Sequence, residues 1–155
     1  MIGAGASAAA GFGVGRSSGL DVLDCIEPWK EIRAGGSGGY LVVSVEGKKV
    51  VIEEGSNEGG FDTVQACCKK SNSRVLYGSF PFRNKGLLRF AFFSFIGNEV
   101  GGMARGRVSL QRAGVYAAFD GVTADLSFNG IEEVTRDFVV QALSRLPGVE
   151  GLELM

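Results

Sequence analysis

Residues 87–108 read LLRFAFFSFIGNEVGGMARGRV, and this stretch decides the fold. Leu87 to Ile96 are apolar at nearly every position. A strand that alternated between core and solvent would read every second residue polar, so this run predicts a central strand covered on both faces. Arg89 interrupts it. A lone arginine there lies near the exposed start of the strand or snorkels to the surface. Gly97 and Asn98 end the run, and a helix over about 99–119 is expected next, with Val100, Met103, Leu110 and Val115 on its inner side. Gly101, Gly102 and Gly106 weaken its start, each by about 1 kcal/mol against alanine in a helix interior.

Working outward, RVLYGSFPF (residues 74–82) is a strand that turns at Asn84-Lys85-Gly86 into the central one. YLVVSVEGKKVVIEE (40–54) is a hairpin of β-branched residues around Glu46-Gly47. Between these pairs, Phe61, Val64 and Cys68 mark a short amphipathic helix. Before them, Val22, Cys25, Trp29 and Ile32 recur at helical spacing, with Asp21 as a plausible cap. Pro28 either kinks that helix or makes it start late. Downstream, VTADLSFN (122–129) is a strand. Asn129 and Glu132 resemble a capping box for a last helix carrying Ile131, Val134, Phe138 and Ala142, which Pro147-Gly148 ends. The order is helix, two strands, helix, two strands, helix, strand, helix. It predicts an α/β (α+β) domain with a mixed five-stranded sheet flanked by four helices.

Composition narrows the chemistry. The chain has 155 residues, 45% hydrophobic, and no histidine. Without imidazole there is no Ser-His or Cys-His nucleophilic pair and no His-bearing metal site. Cys25, Cys67 and Cys68 lack metal-ligand spacing and read as buried free thiols of a reducing compartment. The start lacks the charged and aliphatic pattern of an export signal, and no apolar run is long enough to cross a membrane. A cytoplasmic protein without cofactor or metal is expected, and not an enzyme. The net charge of −1 hides an asymmetry. Arg83, Lys85, Arg89, Arg105, Arg107 and Arg112 face one acid, Glu99, so residues 83–112 carry +5 on an acidic body. Such a segment suggests a face for an acidic partner.

The opening, MIGAGASAAAGFGVGRSSG, imitates a nucleotide-binding loop. A glycine fingerprint works only between a strand and a helix. Here only Met1 and Ile2 precede Gly3, and the phosphate-loop lysine position holds Arg16. Nucleotide binding is therefore not expected. Eleven of the first 19 residues are Gly or Ala, which offer little to bury and lose much entropy on ordering. The expected organisation is a flexible arm over 1–17, with Gly3 to Gly15 disordered, a domain over 18–147 and a tail over 148–155.

This order of elements, with these sequences in it, resembles the actin-depolymerising-factor homology domain, of gelsolin-like fold, over roughly residues 18–146. Within that family it is similar to coactosin more than to cofilin. Arg89, Phe95, Ile96, Gly97, Asn98, Glu99, Val100, Gly102 and Arg105 follow the coactosin pattern in order. Cofilins usually carry Trp-Ala-Pro where Phe95-Ile96-Gly97 stand. The resemblance implies actin binding, filaments before monomers, by a monomeric protein of the cytoplasm and cytoskeleton. It implies contacts through Arg89 and neighbouring Lys85 on the strand site, through Met103, Arg105 and Arg107 at the start of the long helix, and through Arg16, Ser17 and Ser18 before the first helix. Phosphorylation of Ser17 or Ser18 would switch binding off. The glycines of the long helix argue for modest filament remodelling. Alternatives within the family are a cofilin-type severing or depolymerising factor and a glia-maturation-factor-like binder of actin-related proteins at branches. Phosphoinositides are a secondary partner, and nucleic acid is not expected.

Overall fold

The computed structural model describes residues 6–8 and 19–155. A mixed sheet runs through the centre with two helices on each face. Its strands are β1 (Ala6–Ala8), β2 (Tyr40–Glu46), β3 (Lys49–Ser56), β4 (Val75–Asn84), β5 (Leu87–Ile96), β6 (Ala124–Asn129) and β7 (Glu153–Leu154). The order across the sheet is β1-β6-β5-β4-β2-β3, with β7 also on β4. The five strands expected from the sequence are β2 to β6. Among the described strands, only β5 and β6 pair in parallel, because a helix crosses over between them. β1 lies antiparallel to β6 within the segment expected to be a flexible arm. The rest of Gly3 to Gly15 lies outside the described residues.

The four helices are α1 (Leu23–Gly35), α2 (Phe61–Lys69), α3 (Gly102–Tyr116) and α4 (Arg136–Ser144). The apolar run behaves as a strand buried on both faces. Phe90 and Phe92 pack with Trp29 of α1 and with Val108 and Val115 of α3. Ala91, Phe93 and Phe95 pack with Phe61 of α2 and Val139 of α4. Trp29 sits 5.1 Å from both Phe90 and Phe119, and its indole N–H donates to the Asp120 carbonyl at 2.8 Å. The β4–β5 hairpin turns on Lys85 (φ 55°) and Gly86 (φ 79°), two left-handed residues in succession, as a two-residue primed turn requires.

Several local expectations need correction. α3 is shorter than 99–119. Its inner side carries buried Val108 and Val115, while Met103 and Leu110 are each 77% exposed. Stripes at positions 104, 108, 111 and 115 and at 103, 107 and 110 both fit a helical period. Burial of Val108 and Val115 decides between them. Pro28 lies inside α1, which neither starts late nor ends there. Asp21 is not the N-cap, although its carboxylate accepts the Leu23 N–H at 3.0 Å. The last helix is capped by Thr135, whose hydroxyl accepts from Phe138 N–H at 3.1 Å. Asn129 and Glu132 do not form its capping box. Ile131–Glu133 instead make a 3₁₀ turn, and Glu133 reaches back to the Asn129 N–H at 2.7 Å.

Candidate functional site

The strand directions sort the candidate residues into two ends of the sheet. β5 begins at the hairpin turn and runs to Ile96, where the chain bends into α3. β2 ends and β3 begins at that same end. The entry to α1 is tied there too. Asp21 N–H donates to the Lys48 carbonyl at 2.7 Å, and Val50 N–H donates to the Asp21 carbonyl at 2.9 Å. The starts of α1 and α3 therefore lie on one face at one end. The hairpin turn lies at the other end, and Arg89, near it, is about 23 Å from Ile96 for the seven residue steps between them.

At the α3 end, Met103, Arg107 and Leu110 are spaced i, i+4, i+7 along the outer side of the helix. Arg107 is exposed and has no hydrogen-bond or ion-pair partner among the described residues. Beside it, Gly106 faces open space. The start of the helix has no side-chain cap and no acid in its first turn, so no carboxylate among the described residues satisfies its first N–H groups. Arg105 is held differently. Its Nε donates to the Val100 carbonyl at 3.0 Å and its Nη2 to the Gly97 carbonyl at 3.1 Å. It fastens the helix to the end of β5 and keeps only part of its fork outward. A groove of about 260 Å³ separates α3 from β2 and β4, with Arg107 and Gln111 on one wall and Ser44, Glu46 and Arg74 on the other. Arg74 is engaged there by the Glu53 carboxylate at 3.0 and 2.6 Å. Those bonds, with one from Ser44, hold the Glu53 carboxyl below its ordinary pKa.

At the hairpin end, Arg89 sits opposite Phe82, on the face that carries α2 and α4. It is half-buried and has no partner among the described residues. Leu87 beside it is 55% exposed. Lys85 is exposed, but its ammonium lies 3.5 Å from Glu150. Residues 148–150 brace this turn. Asn84 donates to the Gly148 carbonyl and accepts from Glu150 N–H.

The basic segment is thus not one patch. Arg89 and α3 stand on opposite faces and at opposite ends. Arg112 points inward to Asp125, and Arg83 folds back on the Gly86 carbonyl. Charge counting along the chain could not see this, since pairing is decided by which groups the fold brings to each side chain. Sequence reasoning also missed the outward pose of Met103 and Leu110. Their spacing with Arg107 was the available signal. Arg16, Ser17 and Ser18 lie outside the described residues. No group of three or more metal-ligating side chains gathers among the described residues. The three cysteines are buried and free, and burial pushes the Cys25 thiol up to about 11.

The family model for cofilin/tropomyosin-type actin-binding proteins matches residues 18–144. The chain belongs to this family. Its members are actin-binding proteins and not enzymes. Among solved structures, coactosin from Entamoeba histolytica has a TM-score of 0.70 at 17% identity, over 83% of this chain and 96% of that one. Cofilin from Streptomyces griseoflavus has 0.69 at 13% identity, over 79% and 98%. Human coactosin-like protein has 0.68 at 16% identity, over 81% and 98%. At these identities the likeness is one of fold. No curated protein matches the chain in sequence.

Proposed function

We propose that this member of the cofilin family binds actin, along the side of filaments by preference, in the manner of a coactosin. The observation that carries the proposal is the outer stripe of α3. Two large apolar side chains, each 77% exposed, flank an unpaired arginine on one helical line. Single exposed apolar residues are ordinary on any surface. A Met-Arg-Leu stripe beside an uncapped helix start has the composition of an interface centre, where methionine and arginine are enriched. Arg89 and Leu87 offer a second contact on the other face. Two contacts on opposite faces suit a protein that bridges neighbouring subunits along a filament.

The three glycines at positions 101, 102 and 106 give α3 a loose start, which supports modest remodelling of filaments over strong severing. Only Arg89 and Arg107 are both basic and unpaired among the segment's charges, and they lie far apart. That arrangement makes phosphoinositide head groups a minor partner, since such binding draws on dense clusters. The protein acts as a monomer in the cytoplasm, on the cytoskeleton.

Co-sedimentation tests the proposal. The protein should pellet with filaments at low salt and micromolar excess, and less as salt rises, because the exposed arginines are screened. Recovery in the supernatant at low salt would refute filament binding. A parallel titration against monomeric actin separates a coactosin-like from a depolymerising mode. A branch-dissociation assay separates both from binding to actin-related proteins.

A further inference from the structure

Asn98 lies in the link between β5 and α3, and four hydrogen bonds make it a junction. Its backbone N–H donates to the Asn72 Oδ1 at 2.8 Å, in the turn between α2 and β4. Its own Oδ1 accepts the Ile131 N–H at 2.9 Å. Its Nδ2 donates to both carboxylate oxygens of Glu132, at 2.9 and 2.8 Å. One residue therefore joins three segments: its backbone N–H holds the turn before β4, and its side chain ties the link into α3 to the 3₁₀ turn before α4. Its neighbours tighten the same junction. Gly97 N–H donates to the Arg74 carbonyl at 3.0 Å, and Glu99 N–H to the Asn72 carbonyl at 2.9 Å. A Cβ on Gly97 would stand 2.1 Å from that Asn72 oxygen, so the two backbones touch.

The start of α3 has little of its own to fix its direction. Gly101 supplies no side-chain cap, and Gly102 and Gly106 loosen the backbone. The body of the helix is held by Val108, Val115 and Arg112, and its start by the link, clasped by Arg105 from the helix side and by Asn98 from the far side. The amide is chemically specific here. It presents an acceptor to one partner and a donor to the other from one plane, which no carboxylate can do.

We infer that Asn98, with Glu132 as its partner, is the positioning residue of the α3 face. It sets the direction in which α3 leaves the sheet, and so where Met103, Arg107 and Leu110 point, without itself touching the bound protein. This rests on α3 being the binding stripe.

A donor–acceptor swap tests it. In Asn98→Asp, the carboxylate still accepts from Ile131 but meets Glu132 as a like charge. In the double variant Asn98→Asp, Glu132→Gln, the new glutamine donates to the new aspartate, and the junction re-forms with its polarity reversed. Two readouts are taken on the full chain: filament affinity by co-sedimentation, and the amide resonances of Gly102, Met103, Ala104 and Ile131 by nitrogen-15 NMR. The single variant should bind roughly tenfold more weakly and shift all four resonances. The double variant should recover affinity to within about twofold and return the α3 resonances toward the parent. If the single variant leaves the α3 resonances in place, or the double variant keeps the single's loss of affinity, the positioning role is wrong. The latter result would mean that Asn98 contacts the partner directly. Should Asn98→Asp fail to fold, Glu132→Ala removes the partner while sparing the Ile131 bond, and unmoved α3 resonances there would overturn the inference. The spectra need no actin. A parent that fails to pellet refutes the actin reading alone, while the resonances still decide the positioning of α3.

Discussion

Arg112 of α3 closes on Asp125 of β6 with both ends of its guanidinium, Nη1 lying 2.8 Å from Oδ2 and Nη2 meeting Oδ1. The same fork takes the Ser94 hydroxyl and the Leu126 carbonyl, and its carbon stands 5.2 Å over the Phe92 ring. Both side chains are about four-fifths buried, at 21% and 18% exposed. The helix is thereby stitched to the parallel pair of strands that it connects, and the most basic segment of the sequence spends one charge inside the molecule.

Arg112→Met keeps the length of the side chain and removes the charge. It leaves Asp125 without its cation at low exposure, which costs about 3 kcal/mol, the lower end for a broken buried pair. The urea midpoint should fall accordingly. The double variant Arg112→Met, Asp125→Leu should recover part of that loss, because no uncompensated charge remains. If the single variant unfolds at the parent's midpoint, the pair contributes nothing to stability.

Arg105 and Arg107 are two residues apart and should behave differently. Arg107 makes no hydrogen bond or ion pair among the described residues, so Arg107→Ala should leave the melting temperature within about 1 °C while weakening filament binding roughly tenfold, about 1.4 kcal/mol. Arg105→Ala breaks two bonds to the carbonyls of Gly97 and Val100 and should lower stability by about 1 to 2 kcal/mol as well. Equal melting curves for the two variants would show that the Arg105 clasp is not formed in solution.

Arg89→Glu probes the other face. It sits near the start of β5 with no partner among the described residues, so the fold should tolerate it, with less than about 0.5 kcal/mol lost. Filament binding should fall and its salt dependence should flatten, while any binding to monomeric actin through α3 persists. Loss of both together would mean that the two faces do not act separately.

The fold was legible in the sequence because burial on both faces leaves a nearly continuous apolar run, and β5 carries one. The order of elements around it followed from period and turn residues. The site was legible only in part. Arg89 and Arg107 are where the pattern put them. But whether a basic side chain is free depends on the partners that the fold brings to it: Asp125 for Arg112, Glu150 for Lys85, the Gly97 carbonyl for Arg105. The inner face of α3 was ambiguous for a related reason, since Met103 and Leu110 fit the helical period as well as Val108 does. The strand Glu153–Leu154 has no periodicity to betray it. It exists because β4 has an open stretch of edge at Phe82 and Arg83.

Glu53 gives the protein a pH dependence whose sign can be worked out. Its carboxylate takes two bonds from Arg74 and one from the Ser44 hydroxyl at 2.5 Å. Those bonds favour the charged form and lower its pKa below the ordinary value of 4.5. The unfolded chain therefore binds the proton more readily than the folded one. The contribution is present in full above about pH 4.5 and is lost as pH falls below it through the folded value. Glu53→Gln removes the titration and retains one acceptor. Since Arg74 is nearly half exposed, the variant should be less stable than the parent by only about 0.5 to 1 kcal/mol near neutral pH. The two urea midpoints should converge as the pH is lowered toward 3. A gap that stays constant from neutral pH down to 3 would show that Glu53 does not titrate with folding, and that the Arg74 contact is too loose in solution to lower its pKa.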